Sequence, residues 1–129
     1  MASIDMVPED RPPECSHTTQ NVVDDAFLAL RNRKRRYVCY FLLEHETASL
    51  SELADVVSAW IHTADSRVVE PRCRDQCHLQ LLHVHVPTLV ETNLLAYDRD
   101  GKTVSLAPCP EPVRELIVRA CRTETGSCS

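Results

Sequence analysis

Hydrophobic positions fall into helical stripes separated by short polar connections, with one alternating segment near the C-terminal end. Phe27, Leu28 and Leu30 predict a first helix over 24–30. Asp24 and Asp25 open it, where carboxylates suit the positive end of the helix dipole. Asn32 is placed to cap a second helix, in which Val38, Phe41 and Leu42 recur at i, i+3, i+4 and Tyr37 and Leu43 widen the buried face. A short strand is expected over 47–49. Ser49 and Glu52 then have capping-box spacing for a third helix, whose apolar positions are Leu53, Val56, Val57 and Trp60. Residues 61–70 form a polar connection, although Val68 and Val69 could begin the next helix.

From Arg72 the helical pattern resumes. Leu79, Leu82, Val86 and Leu89 step by three, four and three, straight through Pro87, which predicts one long kinked helix over 72–92. Asn93 is placed to end it in the left-handed conformation. Leu94–Tyr97 and Thr103–Leu106 are expected as strands on either side of Asp100-Gly101, a strong turn signal, which predicts a hairpin with its wing over 97–104. Val113, Leu116, Ile117 and Ala120 predict a last helix that frays from Thr123.

The order is helix, helix, short strand, helix, long helix, hairpin, helix. It predicts an α+β fold, mainly α: a winged helix-turn-helix with a C-terminal two-stranded wing and an extra terminal helix. The expected organisation is a disordered tail over 1–20, a winged-helix domain over 21–107, a helix within 108–123 and a frayed tail over 124–129. The terminal helix, with an apolar stripe that needs a partner, is the dimerisation candidate for an expected homodimer. Its alternative is to fold back on its own domain.

Composition narrows the chemistry. A chain of 129 residues, 43% apolar, can bury a core, and two glycines and two phenylalanines argue against a glycine-rich phosphate loop or an aromatic RNA-binding sheet. The N-terminal stretch lacks a basic and an apolar signal region, and no apolar run approaches the ~20 residues of a membrane span, so a cytoplasmic location is expected. Seven cysteines, an odd number without an export signal, argue against a complete disulfide framework.

LRNRKRRYVCYFLLEHETASLSELADVVSAW resembles the opening of the small winged-helix domains abundant in haloarchaea, and HVHVPTLVETNLLAYDRDGKTVSL resembles their recognition-helix end and wing. The second segment is similar to the HLxKLExxGLV helix end of many bacterial and archaeal winged-helix repressors. The resemblance covers residues 24–106 and implies the fold and a role in transcriptional regulation. The sequence departs from the pattern at Asn93, where glycine is usual, and in its cysteines.

Candidate sites follow. Arg33, Lys34, Arg35 and Arg36 crowd the start of the second helix, where each cation is disfavoured by roughly 0.3–1 kcal/mol. Either DNA phosphates or internal acids such as Asp24, Asp25 or Glu44 should offset that cost. The long helix offers Arg72, Arg74, Gln76, His78, Gln80, Leu81 and His83 away from its apolar stripe; arginine and glutamine can read base edges in the major groove. Arg99 and Lys102 sit at the hairpin tip between Asp98 and Asp100. Cys73 and Cys77 share a helix face and, with His78, another histidine or Cys109, could hold zinc or form a redox pair. Buried or surface thiols are the plain alternative, and Cys39 is a core residue. No catalytic constellation appears, so an enzyme is not expected.

Three functions are therefore expected, in order: a winged-helix regulator that binds duplex DNA, a winged-helix module for protein contacts, favoured by the net charge of −5, and a metal- or redox-sensing regulator using Cys73 and Cys77.

Overall fold

A computed structural model describes residues 13–65 and 70–126. The elements are α1 (Pro13–Leu30), α2 (Arg33–Glu44), β1 (Ala48–Ser49), α3 (Leu50–Ala64), α4 (Pro71–Gln80), a π-turn (Leu81–His85), α5 (Val86–Glu91), β2 (Leu95–Asp98), β3 (Thr103–Leu106) and α6 (Glu111–Thr125). The fold is α+β and mainly helical. Its sheet is antiparallel in the order β1-β3-β2, so the hairpin strand β3 is flanked by its neighbour β2 and by the short β1 that precedes α3. No helix among the described residues is long and apolar enough to cross a membrane.

Local capping chemistry forms the element ends. The Asn32 side chain accepts the backbone N–H groups of Lys34 and Arg35 at 2.9 and 3.4 Å, and Ser49 Oγ accepts that of Glu52 at 3.0 Å. Asn93 takes φ 66°, and the N–H groups of Asn93 and Leu94 donate back to the carbonyls of Val90 and Leu89, closing α5 as a Schellman motif.

The core gathers Val38, Leu53, Val57, Leu81, Leu89, Val104 and Ile117 from α2, α3, the π-turn, α5, β3 and α6. Four sequence expectations are corrected here. First, α1 begins at Pro13 rather than Asp24, so residues 13–20 belong to a helix and not to a tail; residues 1–12 lie outside the described residues. Second, its inward face is Ala26, Ala29 and Leu30, whereas Phe27 (58% exposed) and Leu28 face outward. The small side chains at i and i+3 lie against the core together with Leu30, while Phe27 and Leu28 fall on the opposite side.

Third, the buried line of the long helix is Cys77, Leu81, Val86 and Leu89, not Leu79, Leu82, Val86 and Leu89. Leu81, expected outside, is fully buried, and Leu79 is 58% exposed. The π-turn explains the difference. Val86 N–H donates to the Leu81 carbonyl five residues back, immediately before Pro87, which has no N–H to give. A π-turn accommodates one extra residue, so the apolar phase slips between α4 and α5. The helix nevertheless continues from Pro71 to Glu91. The Val68–Val69 alternative for its start lies outside the described residues.

Fourth, α6 runs to Thr125 without fraying at Thr123 and ends at Gly126, whose φ of 79° forms a left-handed cap. Its Val113, Ile117 and Cys121 are buried within the chain's own core. That stripe packs against the chain's own core, which is the fold-back alternative.

Candidate nucleic-acid interface

The basic run at the start of α2 is held inside the fold. Arg33 forms a two-pronged ion pair with Asp65 at 3.1 and 3.2 Å, at the end of α3. Arg36 does the same with Glu124 of α6, at 2.8 and 2.9 Å, and donates to the Leu30 carbonyl at 3.0 Å. Tyr40 Oη also donates to Glu124, at 2.8 Å. The Glu124 carboxyl is pulled below its ordinary value chiefly by the hydrogen bond from Arg36. Lys34 Nζ donates to Gln80 Oε1.

Arg35 is buried. Its Nε donates to the Ala29 carbonyl at 2.8 Å and its Nη2 to that of Leu28 at 3.2 Å, while Nη1 lies 3.5 Å from His85 Nδ1. Burial, then the Arg35 and Lys34 charges, push His85 down to about 4. The internal partners of the run include Asp65, Glu124, Gln80 and the main-chain carbonyls of Leu28, Ala29 and Leu30. These offset the unfavourable placement of cations at a helix N-terminus.

The long helix divides its polar residues between bracing and exposure. Arg74 does not project freely: its Nε donates to Asp55 Oδ1 at 2.7 Å and its Nη2 to Ser51 Oγ at 2.6 Å, joining α4 to the preceding α3. Gln80 receives Lys34, and His78 is half-buried. Arg72, Gln76 and Leu79 share one face of α4 at i, i+4 and i+7, all exposed, with His83 exposed in the π-turn. Sequence reasoning missed that Leu82, Val84 and Val90 join Leu79 as exposed aliphatic side chains on the same continuous helix. Leu79 and Leu82 fall in the inward stripe only when the helix is taken as regular.

The hairpin tip carries Arg99 and Lys102, both exposed. Asp98 Oδ1 accepts the N–H groups of Asp100 and Gly101 at 3.0 and 3.3 Å, an Asx turn that organises the loop. Lys102, with φ 56°, and not Gly101, takes the left-handed position. Gly101 serves close approach instead, because a Cβ there would lie 3.1 Å from Asp98 Oδ2.

Among the described residues, Cys39, Cys73, Cys77 and Cys109 are free thiols. No group of three potential metal ligands converges among the described residues, so Cys73, Cys77 and His78 are not brought together with a further ligand. Burial raises Cys77 and carries Cys39 up to about 12, the opposite of what a reactive thiolate requires.

A family model described as Domain of unknown function (DUF7344) matches residues 27–105. The chain belongs to that family. No curated protein and no solved structure matches it. The DUF7344 region runs from the end of α1 through β3 and contains the basic run, the long helix and the hairpin. Glu124, which clamps Arg36 and Tyr40, lies beyond it in α6, so the terminal helix adds a brace to the DUF7344 fold.

Proposed function

We propose that this protein is a cytoplasmic winged-helix regulator that binds duplex DNA with the outer face of the 71–91 helix and the hairpin tip. The element order and the β1-β3-β2 sheet support the winged-helix reading: α3 and α4 make the helix–turn–helix and β2–β3 the wing. The observation that carries the proposal is the division of cations. Arg33, Arg35, Arg36 and Arg74 are engaged within the fold, whereas Arg72, Arg99 and Lys102 are exposed on the helix and hairpin that would meet a groove and its backbone. Arg72 and Gln76 are the base-reading candidates, with His83 beside them; Leu79 suits contact with a thymine methyl group. Arg99 and Lys102 contact phosphates. The 33–36 run is a brace in this reading and not part of the grip.

A second reading has its own observation. Leu79, Leu82, Val84 and Val90 expose aliphatic surface along the long helix, and Asp75, Asp98 and Asp100 interrupt the positive charge. That mixture fits a protein partner.

Fluorescence anisotropy of labelled duplexes over a salt series separates the two. Two phosphate contacts predict a log–log slope of about −2. Failure of random and genomic duplexes to bind at low salt, where charge contacts are strongest, would leave the protein-partner reading.

A further inference from the structure

A cleft of about 910 Å³ lies between α2, α3 and the end of α6, and neither the 71–91 helix nor the hairpin contributes a lining residue to it. Its wall is aromatic. Trp60 meets Tyr37 edge-on with ring centroids 5.6 Å apart, and Phe41 with centroids 6.2 Å apart. His45 stacks on Phe41 at 4.0 Å with the rings 10° from parallel. Trp60 is 37% exposed. Glu44 and Glu124 supply two carboxylates, and no lysine or arginine is among the described lining residues.

This lining selects by charge and by hydration. Aromatic faces are negative at their centres and attract a cation that sheds water easily, and two carboxylates repel anions. A methylated ammonium group spreads its charge over methyl groups and needs no hydrogen-bond acceptors, so it gives up little on entering such a wall. A primary ammonium would lose more hydration than the aromatic surface returns. Arg36 already neutralises Glu124 through its two-pronged pair, which leaves the Glu44 carboxylate at the rim as the counter-charge.

We infer that the cleft between α2, α3 and α6 binds a small organic cation of the quaternary-ammonium class, seated against the exposed part of Trp60 with Glu44 at its rim. The site is independent of the DNA face and stands or falls separately from it.

The test uses the full chain and choline as the probe. Trp60 is the only tryptophan, so its emission reports occupancy directly. Choline should produce a saturable change that sodium chloride at matched ionic strength does not. It should bind about tenfold more tightly than 3,3-dimethyl-1-butanol, its uncharged isostere. By calorimetry, Glu44→Gln, an exposed change that spares the core, should weaken choline roughly threefold to tenfold, and Trp60→Ala by about tenfold. Absence of a saturable signal, equal binding of the neutral alcohol, or unchanged affinity in Glu44→Gln would each overturn the assignment.

Discussion

Arg35 Nε donates to the Ala29 carbonyl at 2.8 Å, across the junction between α1 and α2. The last carbonyls of a helix have no partner within it, and here a buried guanidinium from the following helix supplies one. Its second prong, to Leu28, satisfies the neighbouring carbonyl. A residue that looks like part of a DNA-binding run is therefore a helix cap. Arg35→Met should keep much of the side-chain volume but orphan both carbonyls. Urea unfolding should show a loss of about 2–4 kcal/mol, with the m-value unchanged.

Arg36, Tyr40 and Glu124 form the corresponding brace for α6. Glu124→Gln should cost about 1 kcal/mol at neutral pH, as for a well-aligned, partly exposed pair. Because the folded carboxyl lies below its ordinary value of 4.5, its contribution is complete above that value and is lost as pH falls through the folded value. The stability gap between wild type and Glu124→Gln should close on acidification, as followed by thermal unfolding.

His85 gives a different acid response. Its folded value near 4 lies below the ordinary 6.5, so the unfolded chain takes up the proton first. Stability should therefore fall as pH drops from 6.5 toward 4, by at most about 1.4 kcal/mol per pH unit from this one group. NMR of the imidazole resonances should show His85 still neutral at pH 5.5, where an exposed histidine is largely protonated.

Legibility in the sequence followed the range of the interaction. Asn32, Ser49 and Asn93 act on backbone groups within a few residues, and each could be assigned from local spacing. The fate of the basic run could not. Asp65, Gln80 and Glu124 are 32, 46 and 88 positions from the cations they meet, and nothing in the helix pattern points to them. The faces of α1 and α4 depart from the apolar pattern for two separate reasons. Ala26 and Ala29 are buried although small, which an apolar pattern weighted by side-chain size does not register, and a regular 3.6-residue period cannot register the slip at the π-turn. The aromatic cleft was equally hidden, because Phe41 and Trp60 looked like ordinary core positions of two separate helices.

The proposal assigns Arg72, Arg99 and Lys102 to a DNA-facing surface, and paired variants in a salt series test that assignment most directly. Arg72→Ala combined with Arg99→Ala and Lys102→Ala should bring the slope of duplex binding close to zero, at roughly 0.9 for each of the two lost phosphate contacts. Arg33→Ala with Arg36→Ala should leave the slope unchanged while lowering thermal stability. The reverse pattern, with the slope lost on removing Arg33 and Arg36 and kept in the triple variant, would contradict the account and return the basic run to the interface.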